Sequence, residues 1–286
     1  MAAVADTIAG QLAQATHRLG PLSTSPRLDA ELLLAHTLGC RRTHLLAWPE
    51  KPVPAAAAVR FAVLIGQRLT GRPVAYLLGG REFWSLDFRV SDHTLVPRSE
   101  TELLVQAALH RLSPGTAPAV LDLGTGSGAV ALAMASELPR AQVLATDRCP
   151  AALTVAKGNA ERLGLERVAF ALGDWYQALP SMQSRHHLIL SNPPYVASGD
   201  PHLLGDGVRH EPRLALDGGP DGLREIRRII AGAMGHLHPG GWLLLEHGAE
   251  QGPAVLALLM AAGLIGAETL HDEAGWPRVS AGRAPG

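Results

Sequence analysis

The segment Asn192-Pro193-Pro194-Tyr195 combines features that a plain turn does not need. Two prolines stiffen the backbone and remove two N–H donors. What remains is a pair of acceptors, the Asn192 side-chain oxygen and the Pro193 carbonyl, beside an aromatic face. Such a set suits a planar group bearing NH₂, an amide or an exocyclic amine. A second signal lies upstream in Asp122-Leu123-Gly124-Thr125-Gly126-Ser127-Gly128, where glycines let the backbone approach a ligand closely. Read as Gly124-x-Gly126-x-x-Ala129, it matches the loose dinucleotide fingerprint, and Asp147 follows at roughly the 20-residue spacing of a ribose-gripping acid. A tight turn and a helix-capping carboxylate would give the same letters, but together the two point to a nucleoside-containing cofactor. In Gly173-Asp174-Trp175 the carboxylate can accept from an adenine amino group and the indole can stack on the ring, although Trp175 also suits a half-buried core position.

These groups are far apart in sequence and need a scaffold that gathers loops. From residue 119 the pattern alternates strand and helix. Strands are expected at 119–123, 142–146, 168–172, 187–191 and 242–246, and helices at 130–138, 150–163, 221–237 and 253–262. Asp147 and Asn192 then fall at strand ends. Repeated βα units imply an α/β fold with a doubly wound, mostly parallel sheet, whose ligands bind at the carboxyl ends of the strands. Residues 1–80 read as a small helical bundle. One helix starts after Ser25-Pro26 and stops at Gly39, and another spans 54–69. Residues 81–97 favour short strands with Ser91-Asp92-His93 as the turn, a β-hairpin linking the two domains. A helix over 99–112 would open on a capping box formed by Ser99 and Glu102 and end at the breaker Ser113-Pro114-Gly115. The resulting division is 1–80, 81–97 and 98–286.

Composition narrows the function classes. Among 286 residues, 47% are hydrophobic and 18% charged, which excludes a disordered chain. The net charge of −1 argues against electrostatic coating of nucleic acid. Cys40 and Cys149 form no CxxC pair, so neither a disulfide framework nor a zinc knuckle is expected. His236 and His238 read as solvated rather than as metal ligands, and no metal is expected. No signal peptide is evident and no apolar run approaches the ~18–20 residues of a membrane span, so a cytoplasmic protein is expected. The scarce aromatics group at two places: Tyr76, Phe83, Trp84 and Phe88 near the domain connection, and Trp175, Tyr176 and Tyr195 near the strand-end site.

With the glycine loop and Asn192 to Tyr195 together, the chain resembles amino-methylating S-adenosylmethionine-dependent methyltransferases, and more closely the bacterial release factor glutamine methyltransferase family. The resemblance runs along most of the chain. Its pieces are Tyr76-Leu77-Leu78-Gly79 with Glu82-Phe83-Trp84, Val96-Pro97-Arg98-Ser99-Glu100-Thr101-Glu102, the glycine loop, Gly173-Asp174-Trp175, Ser191 to Tyr195, His210-Glu211-Pro212 with Ala215-Leu216, and Asp221-Gly222-Leu223. Ser99 stands where the family usually has proline.

The resemblance implies a Rossmann-like methyltransferase sheet and methyl transfer from S-adenosyl-L-methionine, leaving S-adenosyl-L-homocysteine. The acceptor would be the side-chain amide nitrogen of the glutamine in the Gly-Gly-Gln motif of class-1 peptide chain release factors, in support of translation termination. Asn192, Pro193 and Tyr195 would carry the catalysis, and Pro194 would join them in holding substrate. Gly124, Thr125, Gly126, Ser127, Gly128, Asp147, Asp174, Trp175 and Asn192 would hold the cofactor. Arg98, Thr101, Glu102 and Glu211 would border the cleft, with helix capping and a loop brace as structural alternatives. The N-terminal helices would dock the release factor.

Three enzyme classes compete with this reading. A nucleic-acid amino-methyltransferase would use the same acceptors on a flipped base but should carry a basic stripe. A ribosomal-protein glutamine methyltransferase would usually lack Glu100-Thr101-Glu102. An NAD-dependent oxidoreductase would have no use for Asn192 to Tyr195. A non-catalytic adaptor would not need every motif residue.

Overall fold

The computed structural model describes residues 6–112, 117–181 and 184–286, so the breaker expected at Ser113-Pro114-Gly115 lies outside the described residues. The chain falls into two compact units, Met1–Gly80 with Leu204–His210, and Arg81–Leu203 with Glu211–Gly286.

Among the described residues, the first unit holds five α-helices: α1 (Ile8–Leu19), α2 (Pro26–Leu38), α3 (Arg42–Ala47), α4 (Ala55–Leu69) and α5 (Val74–Leu78). Proline occupies the first turn of α2, and Gly39 ends it in the left-handed conformation at φ 64°. Leu12, Leu19, Leu33, Leu34, Phe61 and Ile65 form its core. Arg68 is buried at 5% exposure and donates to Asp29 at 2.8 Å and to both carboxylate oxygens of Asp206, a residue of the inserted Leu204–His210 segment. Burying a guanidinium is costly unless it is paired, and two carboxylates supply that pairing.

The second unit opens with a hairpin of β1 (Gly80–Phe83) and β2 (Leu86–Arg89). Its turn is Trp84-Ser85, at φ 52° and 56°, and not Ser91-Asp92-His93. Leu95 and Val96, expected in a strand, are in none. The physical reason lies in Glu102, whose carboxylate accepts from the Trp84 N–H at 2.8 Å and holds a left-handed turn that lacks glycine. Glu102 is therefore not half of a capping box; the Ser99 hydroxyl turns to Glu100 instead.

A 3₁₀ turn, Ser99–Thr101, leads into α6 (Glu102–Leu109). There follow β3 (Ala119–Leu123), α7 (Ala129–Glu137), β4 (Gln142–Asp147), α8 (Pro150–Leu163), β5 (Ala169–Leu172), β6 (His186–Ser191), α9 (Arg224–His236), β7 (Leu237–Glu246), α10 (Gly252–Ala261), β8 (Ile265–His271) and β9 (Pro277–Arg283). The seven strands order as β5-β4-β3-β6-β7-β9-β8. The pairs from β5 to β7 are parallel, and β9 and β8 add an antiparallel edge that the sequence reading did not anticipate. Residues 129–135 of α7 are buried all round. Their four alanines let the helix lie close on the sheet. On the other face Ile226, Ile229 and Ile230 of α9 pack on Leu243 and Leu245.

His236 corrects another expectation. It is not solvated but 4% exposed, stacked on Tyr176 at 4.6 Å and bonded to the Ser184 carbonyl. Tyr176 accordingly leaves the site: its ring packs against α9 and its hydroxyl donates to the Ile229 carbonyl at 2.9 Å.

Candidate active site

Strand order reverses between β3 and β6, the switch point where doubly wound sheets bind ligands. Leu123 pairs with Ser191, and the Ser191 hydroxyl donates to the Leu123 carbonyl at 2.7 Å. Their next residues, Gly124 and Asn192, therefore sit side by side at the mouth of a cavity of about 560 Å³ in the second unit.

The glycine loop is held from below. The Gly124 and Thr125 N–H groups both donate to the Thr146 carbonyl. Asp122 is 1% exposed and accepts from the Thr125 hydroxyl at 2.6 Å and the Ala131 N–H at 3.2 Å, and burial pushes its pKa up to about 7. Asp147 accepts from the Gly126 N–H at 2.9 Å and the Cys149 N–H at 2.8 Å. Burial also raises the Asp147 pKa. The carboxylate held by these backbone donors is part of the cavity lining. Asn159, fully buried, donates to the Ser127 carbonyl at 2.9 Å and pairs with the backbone of Arg89, so β2 and the loop share one brace. Gly128 does not line the cavity. Its φ of 86° starts α7, and a Cβ there would press on Leu132 and Ala156.

Trp175 and Asp174 form the opposite wall. Trp175 adopts φ 50°, which turns its indole over Gly124, where a Cβ would come within 3.1 Å of the ring. The indole N–H donates to Glu225 at 2.9 Å. Arg228 links the Glu225 carboxylate to one oxygen of Asp174. The other oxygen, Asp174 Oδ1, is buried and has no partner among the described residues. A buried acceptor without a donor is costly and marks a place for a ligand N–H.

At the end of β6, Asn192 and Pro194 line the cavity, whereas Pro193 and Tyr195 do not. Asn192 Nδ2 donates to the Thr101 hydroxyl at 3.1 Å, which leaves its oxygen as the acceptor. Tyr195 turns its hydroxyl to Glu246. Arg98 and Thr101 are part of the lining; Glu102 and Glu211 are not. Glu211 is the loop brace: its buried carboxylate accepts from the Val96 N–H at 3.0 Å and from Arg98. Asp122, Asn159, Glu225 and Arg228 were not assigned to the site from sequence. Asp122 had a signal, as the first letter of the glycine motif; the other three had none.

Two family models match, the PrmC N-terminal domain over residues 11–79 and a methyltransferase domain over 116–230. Release factor glutamine methyltransferase of Xylella fastidiosa is 52% identical over 275 residues, which are 96% of this chain and 97% of that one. The chain belongs to the release factor glutamine methyltransferase family. A second family member, from Pseudomonas aeruginosa, is 51% identical over 92% of this chain and 94% of its own. The crystal structure of a methyltransferase from Pyrococcus furiosus shares the fold, at 20% identity and TM-score 0.53 over 70% of this chain and 89% of that one. The cavity fits the methyl donor that such enzymes use. It offers an orphaned acceptor at Asp174 Oδ1, of the kind an adenine amino group would meet, and it is lined by the Trp175 indole, which closes over Gly124, and by the Asp147 carboxylate, which would take ribose hydroxyls.

Proposed function

We propose that this chain methylates the N5 amide nitrogen of the Gly-Gly-Gln glutamine in class-1 peptide chain release factors. The observation that carries this reading is Asn192, which presents an acceptor to a cavity that also holds the nucleoside-binding set, its own nitrogen tied back to Thr101. The names of relatives that match nearly end to end support the release factor as substrate.

S-adenosylmethionine supplies a methyl group on a sulfonium when bound. The chain's own residues place and activate the nucleophile. An amide nitrogen is a poor one because its lone pair is delocalised. Asn192 Oδ1, which lines the cavity, accepts one of its hydrogens; the Pro193 carbonyl, outside the lining, must turn toward the substrate to accept the other, and together they favour a more pyramidal nitrogen with its lone pair aimed at the methyl donor. Bound there, that cofactor would give up its methyl group and keep the bonding pair as S-adenosyl-L-homocysteine, and the methylated nitrogen would lose one proton to solvent. Positioning of this kind is worth ~7–11 kcal/mol. No strong base is needed, because alkylation makes the nitrogen acidic. Tyr195, held by Glu246, stiffens the loop behind these acceptors.

The first unit docks the release factor, and the reaction takes place in the cytoplasm, where release factors work. All residues that line the cavity belong to the second unit, which leaves the first free for recognition. Leu46 and Trp48, 56% and 47% exposed, are the first residues to test there. Replacing both by serine raises KM for the intact factor and spares a Gly-Gly-Gln peptide; an unchanged KM overturns the docking role.

Incubation with methyl-labelled cofactor and a release factor places one label on the Gly-Gly-Gln glutamine and none on a Gly-Gly-Ala variant. Label on DNA or a ribosomal protein, with none on the release factor, overturns the substrate.

A further inference from the structure

The segment from Asn192 to Tyr195 has an anchoring problem that its own sequence creates. Pro193 and Pro194 carry no N–H, so half of its residues offer their surroundings no backbone donor. The segment must be held by side chains and by its carbonyls. At its entry, the Ser191 hydroxyl donates to the Leu123 carbonyl at 2.7 Å, and Asn192 Nδ2 donates to the Thr101 hydroxyl at 3.1 Å. At its exit, the Tyr195 hydroxyl donates to Glu246 at 3.2 Å. The Tyr195 carbonyl accepts from Gln251 Nε2 at 3.0 Å.

Gln251 is itself aimed by the turn that follows β7. Its Oε1 accepts from the Gly248 N–H at 2.8 Å, so only one orientation of the amide satisfies both neighbours: oxygen to Gly248, nitrogen to Tyr195. The Gly248 peptide is fixed in turn by His247, which is fully buried. His247 Nδ1 lies 2.9 Å from the Gly248 carbonyl, which can only accept, so this nitrogen carries the proton. His247 Nε2 is then the acceptor for the Ser280 hydroxyl of β9 at 2.8 Å. The Gln251 carbonyl accepts from the Val255 N–H at 3.0 Å, which ties its backbone into the start of α10. Gln251 does not line the cavity.

We propose that Gln251 is a positioning residue that clamps the exit of the Asn-Pro-Pro-Tyr segment and so sets where its acceptors point. The proposal rests on the reading of Asn192 and the Pro193 carbonyl as acceptors for the substrate amide. Both proline φ angles are locked at about −65°. With the entry held at Thr101 and the exit held at Gln251, few backbone rotations remain, and the Pro193 carbonyl turns toward the substrate over a short arc. Once the Tyr195 carbonyl is released, the exit drifts, and the two acceptors meet the substrate NH₂ together less often. The glycine loop, Asp147 and Trp175 lie on other strand ends and keep their hold on the cofactor.

The test is Gln251→Glu at pH 8. It keeps size and shape and still accepts from Gly248, but the ionised carboxylate has no donor for the Tyr195 carbonyl. It lowers kcat about ten- to hundredfold, as a small misplacement of reacting groups does, and leaves cofactor Kd and KM for the release factor within about twofold. Gln251→Met, run beside it, removes the donor without adding a charge and lowers kcat to a similar extent. Each rate is read below that variant's own melting transition. Wild-type kcat in Gln251→Met overturns the clamp whatever Gln251→Glu does. A fall in kcat matched by an equal loss of cofactor affinity also overturns it, because a general loosening of the fold then explains both. Asn192→Ala separates the two levels: full activity there removes the acceptor reading and the clamp with it, whereas lost activity there beside wild-type rates in both Gln251 variants sinks the clamp alone.

Discussion

The indole nitrogen of Trp175 donates at 2.9 Å to Glu225, the second residue of α9 and 3% exposed. One buried carboxylate thereby orients the ring, and through Arg228 it also steadies Asp174. The two side chains proposed to hold adenine both depend on this helix for their orientation.

Glu225→Ala should therefore weaken cofactor binding more than the loss of one surface charge would. A hydrogen bond to a charged group contributes about 1.5–3 kcal/mol, so Kd should rise roughly 10- to 100-fold. Calorimetry on the purified protein measures it; an unchanged Kd would show that the ring holds its pose unaided.

Gly222 should tolerate no side chain. It has φ 72°, and a Cβ there would run into the Tyr195 carbonyl, which also accepts from Gln251 at 3.0 Å. Gly222→Ala should cost about 2–4 kcal/mol of stability from strain and overpacking combined, and it should displace the loop that carries Asn192. Thermal melting and methyl-transfer rate should fall together; a fall in melting alone would mean the loop moves without consequence.

Asp122 sets a pH signature in the protein without cofactor. Its pKa is raised to about 7, so between pH 4 and pH 7 the folded chain binds a proton that the unfolded chain has lost. Stability from this group is thus fully present below the unfolded value and falls as pH rises toward the folded one. Asp122→Asn should gain stability relative to wild type at pH 8 compared with pH 5. Melting at the two pH values is the check, and an equal difference at both would refute the assignment.

The strand-end positions of Asp147 and Asn192 were legible because a βα repeat forces loops onto one edge of the sheet. Trp175 and Tyr176 show the limit. They are adjacent aromatics, and only the positive φ at Trp175 sends one into the cavity and the other under α9. Nothing local in the sequence encodes that choice, because it is made by Gly124 and Glu225 from other elements. The hairpin turn at Trp84-Ser85 was missed for a related reason: its stabilising carboxylate, Glu102, lies 18 residues away. The antiparallel pair β8 and β9 escaped because polar and small residues blur the alternation in 265–283.

The ion cluster of Arg68 has a consequence for synthesis. A ribosome makes α1 to α5 first, yet Arg68 then holds only Asp29; Asp206 emerges much later. The nascent bundle carries an under-neutralised buried cation until most of the second unit has been translated. Its resistance to protease on stalled chains should rise sharply once the segment bearing Asp206 clears the exit tunnel.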